Sequence, residues 1–377
     1  MSDPRQSGES AYASAGVDYA TLDAGKRLAL SEALKTSAAL AAHGGQALDV
    51  SRGEPAFVFE LGDRTLAFVM EGLGTKAVIA RHVAEQTGLN RFDAVAYDTV
   101  AAIVNDLCCV GALPLVVNAY FATGSSDWYR QTEWHEALVT GWSRACADSD
   151  ATWGGGESPS LPGLVSDKDI ELAGSAIGAM PEGREPILGE RLSPGDEIVL
   201  VASSGLHANG ASLARMVADR LSGGYATPLP SGRPFGEALL DPSILYARLV
   251  GALAKADVPV SYLSHVTGHG LLKLMRPSHD LTYRISDLPA VPEVLAFLSE
   301  QANMDPHAAY STLNMGSGYA VYTAMGTGEQ VVELAKGLGH DALVAGQVEE
   351  GPRGVIVEPI DVTYTTGELD LAPQQGQ

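Results

Sequence analysis

The chain has 377 residues, 46% of them hydrophobic, with 42 glycines and 46 acidic side chains against 24 basic ones, a formal net charge of −22. That hydrophobic content excludes a disordered polymer, and the length leaves room for two ordinary domains of roughly 100–200 residues each. A field of this sign repels nucleic acid and anionic membrane surfaces, so any phosphate-bearing ligand must be met by local donors, backbone amides or metal ions.

The opening stretch "MSDPRQSGES" has no basic region followed by an apolar one, so it reads as a disordered tail and not a signal peptide. No apolar run reaches the roughly 20 residues of a membrane span. The three cysteines, Cys108, Cys109 and Cys146, have neither a disulfide framework nor metal spacing, and suit core positions in a reducing compartment. A cytoplasmic protein is expected. An alanine- and leucine-rich helix is predicted over Leu22–Ala42, then two strands in "AFVFELGDRTLAFVM" about a Gly62-Asp63 turn. A glycine loop, "EGLGTK", follows. A helix is predicted over Phe92–Val110, a strand in "LPLVVNAYFATG" and a helix over Trp128–Asp148. "ATWGGGESPSLPG" reads as a strand end and a loop, and "IELAGSAIGAM" as a strand. "PEGREPILGERLSPGDE" breaks every period and carries prolines 181, 186 and 194. A domain boundary is placed there, near residue 185, dividing the chain into 1–185 and 186–377. The second part opens with the strand "EIVLVAS" and the loop "SGLHANG" before a helix. A further helix is predicted over Ile244–Ala256. A strand joins a helix through "HVTGHG", and strands return at the carboxyl end. Both parts mix helices with antiparallel-capable strands, so the predicted fold is two α+β domains.

The loop after Met70 begins with Glu71, then Gly72, Leu73, Gly74, Thr75 and Lys76. It is not a Walker A loop, which places the hydroxyl residue after the lysine and spaces the glycines further apart. A hairpin turn and a phosphate-facing loop both fit. On the helix that follows, Asp98, Ala102, Asn105 and Cys109 share one narrow face, with Asp106 beside it. No Lys, Arg or Glu occurs from Phe92 through Tyr129. A face of short oxygen-bearing side chains suits magnesium as well as solvent. With Glu71 on the metal, an acid beside a phosphate-compatible loop ceases to be a contradiction, and Lys76 adds a direct positive charge. In "WGGGES", Gly155 and Gly156 permit close backbone approach and Glu157 offers another oxygen. An ordinary tight turn fits equally. "SSGLHANG" and "HVTGHG" each join a strand to a helix, where free amides attract anions. His207, Asn209, His265, Thr267 and Gly268 are the candidate contacts there, with His269 a further donor.

The stretches "AGVD", "EGLGTK", "YDTVAAIVNDL", "GALPL", "YFATG", "GGGES", "SSGLHANGASLAR", "LLDPSILY", "HVTGHG" and "LNMGSGYAV" occur in this order over most of the chain. In them the chain resembles the aminoimidazole ribonucleotide synthetase family, also called phosphoribosylformylglycinamidine cyclo-ligases. The resemblance implies a homodimer whose N-terminal domains share a β-barrel, an α/β sandwich-like C-terminal domain, and ATP bound with magnesium. Potassium is a further candidate cofactor. It implies ring closure of a phosphoribosyl substrate, formylglycinamidine ribonucleotide, to aminoimidazole ribonucleotide in purine biosynthesis. By resemblance, the family's acids at the glycine loop, the helix and the "VND" triplet fall on Glu71, Asp98, Asn105 and Asp106, and its loop lysine on Lys76. With Glu157 from its own loop, Glu71, Asp98 and Asp106 are the expected metal ligands, and Gly72, Gly74, Thr75, Lys76 and Asn105 the expected nucleotide contacts. Lys76, Asp98 and His265 would serve catalysis. The family spells its first loop D-G-V-G-T-K and a later one H-I-T-G-G-G. This chain has Glu71 and His269 at two of those positions, Ala13 at the family's amino-terminal lysine, and "HGGQALDVSRGE" before the first strands. Other superfamily phosphotransferases, and a nucleotide-binding paralogue without activity, stand as alternatives. No Ser–His–Asp set, reactive cysteine or Schiff-base lysine stands out, so no covalent enzyme intermediate is expected.

Overall fold

The structure is a computed structural model that describes residues 19–369. The expectations for the amino-terminal tail, for "AGVD" and for Ala13 lie outside the described residues.

The first part of the chain builds a six-stranded sheet. Helix α1 (Tyr19–Leu34) and a 3-10 turn (Ser37–His43) lead to β1 (Gly45–Ala47). The hairpin β2 (Phe57–Leu61) and β3 (Arg64–Gly72) turns at Gly62-Asp63, as its alternation of apolar residues requires. Helices α2 (Lys76–Thr87) and α3 (Phe92–Cys108) precede β4 (Leu113–Thr123). Helix α4 (Thr132–Asp148) leads to β5 (Thr152–Glu157) and β6 (Ile170–Ala179). The order is β1-β2-β3-β6-β4-β5, antiparallel except for the β4–β5 pair. Three glycines expected in a loop therefore lie within an edge strand. Its backbone is paired with β4 so closely that a Cβ on Gly156 would meet the Ala119 carbonyl oxygen at 2.1 Å.

The second sheet holds every strand from β7 (Glu197–Ala202) onward. Helices α5 (Ala211–Arg220), α6 (Phe235–Leu239) and α7 (Ala247–Lys255) lead to β8 (Val260–His265) and β9 (Leu281–Ile285). Helices α8 (Glu293–Gln301) and α9 (Pro306–Thr312) precede β10 (Ser317–Thr323), and α10 (Gly328–Gly337) precedes β11 (Ala342–Glu350), β12 (Gly354–Val357) and β13 (Val362–Thr365). The order is β13-β12-β9-β11-β7-β10-β8, with only β12 and β9 parallel. The fold is thus a mixed α/β arrangement of two sheet-based domains. The proline-rich stretch 180–196 passes from one sheet to the other without joining either.

Helix α3 is the axis of the molecule. It packs on β3, β4 and β6 and also on α4, α7 and β8. Ile103, Val104 and Leu107 are fully buried, and so are Asp98 and Asn105. Its polar stripe is therefore not a solvent face. The second domain covers it.

Candidate active site

The residues singled out in the sequence converge on the seam between the two sheets, and they divide into a closed half, where Lys76, Asp98 and Asn105 have no exposure, and a more open half, where Asp106 keeps 14%. In the closed half, Gly74 takes a left-handed φ of 72°, which lets β3 turn sharply into α2. Thr75 then stands at the N-cap, and its hydroxyl lies 3.2 Å from that of Ser212 on α5. Lys76 opens the helix fully buried. Its ammonium lies 2.6 Å from Asp98 Oδ2 and donates to the His207 carbonyl at 2.7 Å. Asp98 Oδ1 accepts from both the backbone N–H and the hydroxyl of Ser243 at 2.7 Å. One turn pair further along α3, Asn105 donates to the Ile244 carbonyl at 2.8 Å and accepts from the Tyr246 N–H at 2.9 Å. His207 has φ of 57°, and its Nε2 accepts from the Ser204 N–H at 3.1 Å. Burial, then the charges of His265 and Lys76, hold its imidazole well below the usual range, so it is neutral. Lys76, Asp98 and Asn105, expected at metal and nucleotide, thus also latch α2 and α3 to residues 207 and 243–246, because the chain between α6 and α7 covers that face of α3.

The open half gathers around Asp106, on the same helix. His265, at the end of β8, lies with Nδ1 2.6 Å from Asp106 Oδ1. Burial, the Asp106 charge and a hydrogen bond with Asp106 push the Glu71 carboxyl up to about 8, against the pull of Lys273 and Arg276. Burial alone would raise Asp106 too. The hydrogen bond and charge of His265, with Lys273 and Arg276, outweigh it and hold that carboxyl below its ordinary range. The two acids thus share one proton at neutral pH, as close carboxyl pairs do. Burial, then Arg276, lowers the Lys273 ammonium to about 8. Arg276 donates through Nε to the Gly53 carbonyl at 3.0 Å, and the neighbouring Glu54 accepts from Tyr262 at 2.8 Å. The segment "HGGQALDVSRGE", which departs from the family pattern, therefore ends against this cluster.

Other expected contacts stand apart or bare. Glu71, Gly174, Ala119 and Gly156 are register partners across β3, β6, β4 and β5. Three strand spacings, about 14 Å, separate Glu71 from the exposed "GGGE" edge. Gly155, Gly156 and Glu157 therefore do not share a metal shell with Glu71, and Asp98 faces Lys76 instead of the other acids. Among the described residues no group of three or more His, Cys, Asp or Glu is arranged to hold a metal ion. Only Glu71 and Asp106 of the four expected ligands meet. Their fit to a hard cation is chemical: two adjacent oxygen donors kept from mutual repulsion by a shared proton, which a magnesium ion would replace. Gly72 ends β3, Asn209 and Thr267 are half-buried with no side-chain hydrogen bond among the described residues, and Gly268 is buried in its loop. "HVTGHG" joins β8 to a helix as expected, a short 3-10 one (Gly270–Met275), with His269 left-handed at φ 73°. Burial pushes the Cys109 thiol up to about 12 and Cys146 to about 11, which leaves no ready thiolate nucleophile.

Ser243, Lys273 and Arg276 escaped the sequence reading. A signal was present for two of them. Lys273 and Arg276 are the only lysine and arginine between Ala256 and Tyr283, set in an apolar run directly after a glycine loop of a strongly acidic chain.

Two family models match, the N-terminal domain of AIR synthase related protein over residues 53–180 and its C-terminal domain over 193–358. The chain is 34% identical over 316 residues to the phosphoribosylformylglycinamidine cyclo-ligase of Methanobrevibacter smithii, covering 83% of this chain and 89% of that one. It is 34% identical over 308 residues to the enzyme of that name from Methanothermobacter thermautotrophicus, covering 81% and 86%. Among solved structures, hydrogenase maturation protein HypE in complex with ATP superposes with a TM-score of 0.58 at 17% identity, over 81% of this chain and 85% of that one. AaThiL complexed with AMPPCP and TMP gives 0.56 at 16%, over 83% and 91%. At these identities the two structures speak for the fold alone.

Proposed function

The chain belongs to the AIR synthase related protein family, and we propose that it is a phosphoribosylformylglycinamidine cyclo-ligase. It converts formylglycinamidine ribonucleotide and ATP to aminoimidazole ribonucleotide, ADP and phosphate. The observation that carries this reading is the open half of the seam. There Glu71, Asp106 and His265 face Lys273 and Arg276 in a chain a third identical to enzymes of that name.

An amide oxygen is a poor leaving group. Transfer of the terminal phosphoryl group breaks its bond to the bridging oxygen of ATP and forms a bond to the amide oxygen. The neighbouring nitrogen then closes the ring by attacking the amide carbon and gives up a proton. The carbon–oxygen bond breaks, and that oxygen leaves with the phosphate. The chain's part is positioning and charge stabilisation. Asp106 accepts from His265 Nδ1 and so orients the ring, leaving Nε2 to move a proton. Glu71 and Asp106 would hold magnesium, which when bound neutralises phosphate charge. Substrate labelled with heavy oxygen at the amide carbonyl is expected to deliver one labelled atom to inorganic phosphate per turnover, read by mass spectrometry. Label appearing in water alone would refute this route.

The proposal includes two domains meeting near residue 185, cytoplasmic location, and a homodimer in which the first sheets form a shared barrel. Support for the dimer comes from the outer face of that sheet. Phe57, Phe68, Ile177 and Val116 lie in one cross-strand row. Phe68 is 44%, Leu115 47% and Met70 67% exposed, an apolar face of the kind that calls for a partner. Among the described residues no helix is long and apolar enough to cross a membrane. Light scattering at micromolar concentration is expected to give twice the chain mass, and Met70→Lys to shift it toward the monomer. A monomeric wild-type protein would sink the barrel.

A further inference from the structure

The resemblance led to Lys76 as the positive charge for a phosphate, yet Lys76 is locked to Asp98 and the His207 carbonyl with no exposure. Two other bases face the open half. Lys273 is 9% exposed, and among the described residues its ammonium makes no hydrogen bond and no ion pair. Arg276 uses Nε on the Gly53 carbonyl, and its two terminal nitrogens have no partner among the described residues. Both charges act on Glu71 and Asp106. A buried cation without a partner lowers stability, and in so acidic a chain carboxylates to pair it abound. Its isolation marks a place kept for an anion that arrives with the ligand.

We propose that Lys273 and Arg276 form a phosphoryl subsite, in which Lys273 contacts the phosphoryl group during its transfer between the nucleotide and the amide oxygen. The position fits that step better than it fits the substrate's own ribose phosphate, since both bases lie beside His265 and the two acids. Gly53, from a segment that departs from the family pattern, accepts from Arg276 Nε and so orients its guanidinium. The step matches the bond changes given above: the subsite neither gives nor takes a proton, and it meets the charge on the three phosphoryl oxygens while one phosphorus–oxygen bond is exchanged for another. The assignment rests on the ring-closing reading for its substrate but not for its anion.

The test has two parts. In Lys273→Met, kcat is expected to fall about 100-fold, the loss typical of one charge-stabilising donor. KM for ATP and for formylglycinamidine ribonucleotide should stay within a few-fold, Lys273→Arg should recover much of the rate, and the melting temperature should hold or rise. A raised KM for the ribonucleotide at unchanged kcat would place the ribose phosphate there and overturn the assignment. So would a drop in melting temperature with turnover per folded molecule unchanged. The second part needs no turnover. Orthovanadate, a mimic of the transferring group, is expected to raise the melting temperature of the wild-type protein and not of Lys273→Met. If vanadate protects both equally, the subsite is wrong. If wild-type protein closes no ring while the vanadate difference holds, the subsite stands and the cyclo-ligase reading falls.

Discussion

Replacing Lys76 by methionine is expected to cost about 3–5 kcal/mol of stability, the usual consequence of removing one partner of a buried ion pair. Lys76 and Asp98 are both fully buried, 2.6 Å apart. Without the ammonium, Asp98 keeps only the two donors of Ser243 for a full negative charge in a dry seam. The His207 carbonyl loses its donor at the same time. At the few degrees per kcal/mol usual for domains of this size, the melting temperature should fall by on the order of 10 °C. Because the pair joins α2 and α3 to the second domain, loosening should appear in hydrogen exchange at 207 and 243–246 before the sheets themselves open. The double variant Lys76→Met with Asp98→Leu removes the stranded charge and should recover most of the loss, since a buried pair is often matched by apolar residues of similar volume. A single variant melting within about 2 °C of wild type would show that the pair is not the latch described.

What could be read from the sequence follows from what each element needs locally. The hairpin β2–β3 was legible because Phe57–Leu61 and Arg64–Met70 alternate about a Gly-Asp turn, and nothing distant is required to form it. Helix α3 was legible in extent, but its polar stripe suited a metal and solvent alike, and the burial of Asp98 and Asn105 is what excludes a solvated face. Its partner was not legible. Ser243 lies 145 residues from Asp98, just before the helix predicted over Ile244–Ala256, and no periodicity announces a loop that lies across another helix. The same limit governs charge. Lys76 and Lys273 look alike in sequence, and only the fold shows that one is paired and the other is not. The glycines of "WGGGES" fitted close approach to a ligand and an ordinary tight turn equally well. Gly156 is in fact required by the closeness of β4, a steric demand that a strand's neighbour makes. Where a side chain meets something far along the chain, composition and spacing name the candidates but cannot assign the partners.

Asp106 is the second place where one atom should matter greatly. Asp106→Asn keeps size and shape, so the fold should persist, with a melting temperature within a few degrees of wild type. Turnover is expected to fall by roughly 10²–10⁴-fold, the range lost with general acid–base assistance. In the wild-type protein the carboxylate Oδ1 accepts from His265 Nδ1 at 2.6 Å, which fixes the tautomer and leaves Nε2 free to move a proton. An asparagine can present its amide nitrogen there, which would favour the opposite tautomer, and it brings no charge to balance an imidazolium. Glu71 responds as well. The Asp106 charge is, after burial, the largest influence lifting the Glu71 carboxyl to about 8. With that charge gone, Glu71 should titrate lower and ionise earlier as pH rises, so any residual activity that needs its carboxylate should extend to lower pH. Magnesium separates the two roles open to Asp106. If Asp106 acts chiefly by holding the ion, raising magnesium should restore much of the lost rate. If it acts chiefly through His265, saturating magnesium should leave the deficit in place, and His265→Ala added to Asp106→Asn should cost little more. A variant that folds and turns over within a few-fold of wild type at ordinary magnesium would remove Asp106 from the reaction altogether.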